Sequence, residues 1–383
     1  MFAISRLNKS RLANWWWTVD KVTLGIVLAI MFIGAFLVFS ASIPVAQTLI
    51  RNGHHISEYH FIKQQLKFIP CAIIIMIFLS MQNLKMIRRI AVLGYLGAFI
   101  LTIATLFIGF ETKGASRWIS IFHFSLQPSE FIKPTFVVMS AWLLEGSKKC
   151  EDFPGGKLSL GLFAVTIAAL LSQPDFGMTG VVALIWGFQL CLAGLPMALI
   201  AALGTLLGTL AIGAYFVLDH VNTRVNGFLR SFSSQENLPE QVVKSFKAFE
   251  SGNLLGRGPG EGVVKYSLPD AHTDFIFAVA AEEFGVWLCA ILVALFAVVV
   301  VRSLLLSIKD NNLFVIYASA GLAASFGLQG IINMASTLHL MPTKGMTLPF
   351  ISYGGSSLFA SSICIGMLLA ITRKNSAAED KDI

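Results

Sequence analysis

Six ionisable residues fall inside or at the ends of strongly apolar stretches: Glu130, Lys133, Asp175, Asp274, Glu282 and Glu283. A charge in such surroundings is costly and is a functional candidate by default. Asp274 follows His272-Thr273 and precedes Phe275-Ile-Phe-Ala278, where a long polar segment meets an apolar run. Two readings of it are open. As a helix N-cap it would accept a backbone N–H. As a carboxylate at the rim of an apolar cavity it would be partly desolvated, and so strengthened as a general base. Glu130 and Lys133, three residues apart, share a helix face and can pair. That pair pins a helix in a bundle, contacts substrate, or does both. Asp175 follows Pro174 and is either a turn or cap residue or part of a polar site. Glu282 and Glu283 cannot both face one way, which predicts that at least one pairs within the protein. His272 is a second candidate base, although its flank favours a structural hydrogen bond.

The elements that must position these groups follow from composition. Of 383 residues, 56% are hydrophobic and only 13% charged, and the mean hydropathy is +0.75. Soluble domains carry about a quarter charged residues, so this chain cannot cover a water-exposed globule. An ordinary cytosolic enzyme and a disordered chain are both excluded. A membrane helix needs about 20 apolar residues. Ten stretches qualify: 22–42, 66–82, 90–110, 129–146, 158–173, 177–194, 196–218, 274–302, 312–340 and 351–372. The expected fold is an all-α polytopic membrane protein with about ten transmembrane helices. Residues 1–21 and 373–383 form the tails, 22–372 the membrane domain, and 219–273 a large loop between the seventh and eighth helices.

The net charge of +7 is read as loop charge that sets orientation, and no nucleic-acid signature accompanies it. Basic residues crowd the N-terminal tail, the short loops after the second, fourth and eighth stretches, and the C-terminal tail. That side is cytoplasmic by the positive-inside rule, with both termini on it. Trp15, Trp16 and Trp17 suit an interfacial belt. The five cysteines contain no CxxC and read as small core residues.

The opposite side gathers four unusual connections: Gly114-Ala-Ser-Arg-Trp118, Gln173-Pro-Asp-Phe-Gly177, Ala271-His-Thr-Asp-Phe275 and Thr343–Ser356. Their convergence predicts a working site on the extracytoplasmic face. No ATP or nucleotide sugar is available there, so an enzyme would draw on a substrate already activated and held in the lipid. Within the large loop, residues 241–250 place Val242, Val243, Phe246 and Phe249 at helical spacing, an amphipathic helix. Residues 251–262 are glycine-rich: a flexible lid, a hinge or a backbone cradle for phosphate, but not a Walker loop.

Leu268-Pro-Asp-Ala-His-Thr-Asp-Phe-Ile-Phe277 and Ala281-Glu-Glu-Phe-Gly285 resemble signatures of the SEDS family of bacterial envelope growth. Arg117-Trp118, Gln127-Pro-Ser-Glu130, Gln173-Pro-Asp-Phe-Gly177 and Ser352-Tyr-Gly-Gly-Ser356 fit the same family in order. The resemblance covers about residues 20–375. The segment Pro342–Ile351 is closer to the family's division branch than to its elongation branch. One departure is Ser251-Gly-Asn253, where a Gly-Gly pair is expected.

The resemblance implies a peptidoglycan glycosyltransferase of the bacterial inner membrane, acting at the division septum. Its substrate would be lipid II, polymerised into β-1,4 glycan strands with release of undecaprenyl pyrophosphate. By the same resemblance Asp274 is the catalytic aspartate. Glu130, Lys133 and Asp175 match polar residues around a central cavity. Arg117, Arg224 and Lys344 are candidates for the pyrophosphate charges, and Ser352 for a further substrate contact. A class B penicillin-binding protein transpeptidase and other division-site proteins are the implied partners, besides membrane lipid. No metal site is evident, although Mg2+ or Mn2+ could bridge carboxylates and pyrophosphate. A lipid II flippase and a non-catalytic division scaffold are the alternative functions.

Overall fold

The computed structural model describes residues 10–51, 57–112, 115–121, 124–217, 222–223, 225–229, 239–342 and 345–373. A short amphipathic helix, α1 (Arg11–Thr18), precedes the bundle. It is followed by α2 (Lys21–Arg51), α3 (His60–Ser80), α4 (Leu84–Ile108), α5 (Pro128–Lys149), α6 (Gly155–Ser172), α7 (Phe176–Leu192) and α8 (Met197–Val217). After the large loop, whose described part contains α9 (Glu240–Gly252), come α10 (Ile276–Ser307), α11 (Leu313–Thr337) and α12 (Gly355–Ile371).

Each apolar stretch coincides with one helix. Among the described residues, α2, α3, α4, α6, α10 and α11 are long and apolar enough to cross a bilayer, while α7 and α12 are apolar but shorter. Helix α5 carries Glu130, Lys133, Glu145, Lys148 and Lys149 and is correspondingly less apolar. Helix starts are set locally. Pro128 occupies the first turn of α5, where its missing N–H costs nothing. The Asn83 side chain accepts from Met86 N at 2.9 Å and the Asn312 side chain from Phe314 N at 3.0 Å, each satisfying an otherwise orphaned donor. Helix α11 is the central element: 78% of its apolar window is buried, and it packs on α5, α7, α10 and α12.

Three features depart from expectation. First, the connection after α4 contains a small antiparallel ribbon that was not expected: β1 (Phe110–Thr112), β2 (Ala115–Ile121) and β3 (Phe124–Leu126), in that order. The alternation Arg117-Trp-Ile-Ser120 carries the signal. Second, α9 is rotated from its expected face. It buries Val242, Ser245, Ala248 and Gly252, and small residues let it pack closely on α10. Phe246 stays largely exposed, and Ser245 Oγ donates to Thr337 O at 2.8 Å. Third, Trp15 is buried and its indole N–H donates to Ser80 Oγ at 2.9 Å. Only Trp16 and Trp17 remain at the surface, with the Lys21 ammonium 4.9 and 4.6 Å from their rings.

The glycine-rich stretch serves as the backbone partner of a helix break. Helix α10 is broken at Gly285, whose φ is 73° and ψ −174°. A side chain there would strike Leu254 O, 2.2 Å from an added Cβ. The backbone groups freed by the break are taken up by the loop. Arg257 N donates to Glu282 O and Gly258 N to Glu283 O, both at 3.0 Å, and Val286 N donates to Asn253 O at 3.1 Å. Irregular backbone beside a membrane span must be satisfied within the protein, and this loop does so.

Asn253 itself sits at φ 48° and ψ −141°, a region that only glycine enters freely. This is the position where the family resemblance leads one to expect a second glycine. Asn253→Gly is expected to raise the melting temperature in detergent, by relief of roughly 1 kcal/mol or more of strain. An unchanged or lower value would show the backbone there to be unstrained.

Candidate active site

The ends of several helices enclose a polar cavity of about 740 Å3. Its wall takes Gln64 from the start of α3, Arg117 and Trp118 from β2, Gln127 and Glu130 from the start of α5, Thr273 and Asp274 before α10, and Ser336 and His339 from the end of α11. Gly345, Thr347 and Tyr353–Ser357 contribute as well, and the described part of the large loop adds Phe228, Pro239 and Val242. Three of the four polar connections therefore meet here. The fourth reaches it through Arg117, whose guanidinium donates to Pro174 O at 2.8 Å and Gln173 O at 3.4 Å, and lies 3.6 Å from Asp175 Oδ1.

Asp274 is half-buried in this wall. It is not the helix cap: α10 begins at Ile276, and its N-cap is Phe275, without a side-chain hydrogen bond. The expected span start at 274 moves two residues, and that leaves Asp274 in the loop. The segment 270–275 is a tight series of turns in which Thr273 N and Phe275 N donate to Asp270 O. Asp270 has φ 54° and lines the same cavity. Opposite Asp274 is Gly345, at φ 64°, where an added Cβ would come 3.3 Å from Asp274 Oδ2.

Glu130 and Lys133 are paired at 2.8 Å and buried. Glu130 lines the cavity, whereas Lys133 lies beneath it and also donates to Gln329 Oε1. Lys133 thus lies around the cavity without entering its wall, its charge held under the floor by two acceptors. Asp175 does not line the cavity. It caps α7 by accepting from Met178 N at 3.1 Å, so its turn-and-cap reading describes its geometry. Ser352 is also withdrawn from the wall. Its hydroxyl donates to Thr273 O at 2.5 Å and accepts from Leu348 N at 2.8 Å, tying two connections together. Arg224 and Lys344 lie outside the described residues.

Both glutamates of the Glu282-Glu283 pair are structural. Glu282 accepts from the backbone N–H groups of Val263, Val264 and Lys265 at 2.6, 2.7 and 3.0 Å, fixing a turn of 3-10 helix. Glu283 pairs with the buried Lys265 ammonium at 2.5 Å, and that ammonium also donates to Ser40 Oγ and Gly260 O, each at 2.9 Å. Lys265 escaped the sequence reading because it sits in a long polar loop, where a lysine attracts no notice.

His272 does not line the cavity. It is buried between Phe61 and Tyr353, with ring centroids 4.8 and 5.3 Å away. Among the described residues Nδ1 has no hydrogen-bond partner. Burial pushes the imidazole down to about 4, against a smaller opposing effect of Asp270, so it is neutral in the working range. The sign of the linkage follows. Unfolded chain takes up a proton below about 6.5, folded chain only near 4, so stability falls as pH drops through that window, by up to ~3 kcal/mol. His272→Phe keeps the aromatic stack and is expected to flatten this part of the melting-temperature profile. An unchanged profile would assign the acid sensitivity to other groups.

A second cavity of about 620 Å3, almost wholly apolar, lies between α3, α4, α5 and α12 and includes Ile74, Phe78, Ala98 and Met367. Residues 125–131 separate the two. Ser125, Gln127 and Glu130 face the polar cavity, and Leu126, Pro128 and Phe131 the apolar one.

Fold and site together define a multi-pass membrane protein with a polar, carboxylate-bearing chamber at one end of its bundle and an apolar groove beside it. The chain belongs to the FtsW/RodA/SpoVE family of cell cycle proteins, whose model matches residues 20–377. This is the family expected from the motifs. A relative from Caulobacter vibrioides, a probable peptidoglycan glycosyltransferase FtsW, is 41% identical over 376 residues, covering 98% of this chain and 95% of the relative. A relative of the same name from Geobacter sulfurreducens is 32% identical over 360 residues, covering 93% and 95%. These names agree with the expected placement on the division branch. Among solved structures, a chain from a peptidoglycan synthase complex coordinating polymerization and crosslinking superposes with a TM-score of 0.76 at 24% identity, covering 93% of this chain and 98% of that one. The rod shape determining protein RodA of Thermus thermophilus superposes with a TM-score of 0.66 at 23% identity, covering 93% and 97%.

Proposed function

We propose that this chain is a peptidoglycan glycosyltransferase of the division machinery, polymerising lipid II at the outer face of the bacterial inner membrane. The observation that carries the reading is the pairing of the Asp274 cavity with the adjoining apolar groove, since a lipid-linked sugar needs both. The names of the relatives support the activity. The synthase complex among the structural neighbours supports a class B penicillin-binding protein as the crosslinking partner. The orientation with both termini cytoplasmic and the septal location are part of the same proposal.

In the reaction, an acceptor glycan hydroxyl attacks the anomeric carbon of the donor. Asp274 takes the hydroxyl proton as the new C–O bond forms. The bond from the anomeric carbon to the pyrophosphate oxygen breaks, and its electron pair leaves with undecaprenyl pyrophosphate. The growing negative charge needs fixed cations. Arg117 faces the cavity, and Arg224 and Lys344 are proposed beside it on the strength of the resemblance. Among the described residues no group of three or more His, Cys, Asp or Glu could hold a metal ion. Mg2+ or Mn2+ would be held chiefly by the substrate pyrophosphate, and no step above runs through it.

A flippase requires a polar path open alternately to both faces. The polar cavity ends on the Glu130–Lys133–Gln329 floor, which supports a site worked from one face. The test is to supply lipid II to the purified chain with its transpeptidase partner. Glycan polymer is the expected product. No polymer, with lipid II crossing vesicle membranes instead, would replace the enzyme with a transporter. Neither activity, with the partner still bound, would leave a scaffold.

A further inference from the structure

Helix α11 presents two buried amides one turn apart, Gln329 and Asn333, toward the connection 345–354. Gln329 Nε2 donates to Thr347 O at 3.1 Å, while its Oε1 accepts from Lys133. Asn333, fully buried, uses one Nδ2 group for two acceptors: Asp274 O at 2.9 Å and Met346 O at 2.6 Å. The same amide thus joins the residue carrying the candidate base to the neighbour of Gly345, which faces the Asp274 carboxylate. Ser352 adds a parallel tie one residue away, through Thr273 O.

We infer that Asn333 is a positioning residue for Asp274: its amide clamps the Asp274 and Met346 carbonyls so that the carboxylate is held against Gly345 at the cavity wall. This assignment rests on the glycosyltransferase reading above. The chemical need is plain. A base must sit within hydrogen-bond reach of the proton it removes, and a misplacement of about 1 Å can cost 100-fold. Two donors on one amide, anchored in a buried helix, hold the backbone where a loop alone would not. Gln329 serves as the internal control, because it supports the same connection through Thr347 without touching Asp274.

The experiment compares wild type, Asn333→Ser and Gln329→Met as full-length chains with the transpeptidase partner. Lipid II polymerisation is measured as kcat and KM per folded molecule, alongside backbone hydrogen exchange. Asn333→Ser retains one donor, so it should fold. Its kcat is expected to fall on the order of 10–100-fold with KM within about twofold, because substrate contacts are untouched. Exchange should quicken at 274–276 and 346–348 while the rest of α11 stays protected. Gln329→Met should lose stability with a much smaller change in kcat per folded molecule. Full kcat per folded molecule in Asn333→Ser, or a loss no greater than that of Gln329→Met, would overturn the assignment. Should wild type make no polymer, the functional reading fails. The clamp is then decided by exchange alone, and unchanged protection at 274–276 would remove it.

Discussion

Asp274→Asn is expected to cut glycan polymerisation by roughly 100- to 10,000-fold, the range by which a positioned general base accelerates proton transfer. Asparagine keeps the size and the cavity-wall position of the side chain and removes only its capacity to take a proton. Since α10 is capped at Phe275 without side-chain help, no helix cap is lost. The folded fraction and melting temperature should therefore stay close to wild type, as should binding of the transpeptidase. A variant that misfolds or loses its partner would put Asp274 among the structural residues. A variant that folds and polymerises normally would remove it from the chemistry. Its surroundings favour a folded but inactive variant, because the carboxylate is half-buried and faces Gly345 across a cavity that also contains Arg117 and Glu130.

Lys265→Met is expected to be the most damaging substitution outside that cavity. It leaves Glu283 buried in the bundle with its counter-ion gone, a loss of about 3–5 kcal/mol, a large share of the stability of an ordinary domain. Folded, monodisperse protein in detergent should fall sharply, as should the melting temperature. The informative companion is the double variant Lys265→Met with Glu283→Leu. Replacing both members of a buried pair by apolar side chains is often neutral or better, so much of the stability should return. If the double variant is as unstable as the single one, the network matters for more than charge compensation, through Ser40 Oγ and Gly260 O, which also accept from the ammonium.

How far these features could be read from the amino-acid sequence depended on whether their signal was local. The apolar runs located the ten helices of the bundle because a bilayer demands long, uninterrupted hydrophobicity, whereas α1 lies in the expected tail and α9 in the expected loop. Asp274 and its neighbours were legible because so many polar residues at the mouth of an apolar run have few structural uses. Asp175 and Ser352 were placed in the right neighbourhood, but their side chains turn to backbone: a carboxylate that caps α7 and a hydroxyl that ties two loops. Spacing alone does not say which way such short side chains point. The break at Gly285 was hidden because α10 reads as one continuous apolar run. With the break hidden, the partner role of the glycine-rich loop, the Glu282 contacts and the buried Lys265 were hidden too. The face of α9 is not legible from apolar spacing, because close packing against α10 selects Ser245, Ala248 and Gly252 over the larger apolar residues. Asn333 looked like one polar residue in a long apolar helix. Its meaning comes from two carbonyls distant in sequence.

The role of Asp274 is tested most directly by single-turnover conversion of labelled lipid II at saturating concentration, in wild type and Asp274→Asn bound to the same transpeptidase. Wild type should extend the glycan and release undecaprenyl pyrophosphate in step. The variant should bind lipid II with similar affinity and show extension slowed at least about 100-fold. Extension at the wild-type rate by a folded Asp274→Asn chain would contradict its assignment as the base.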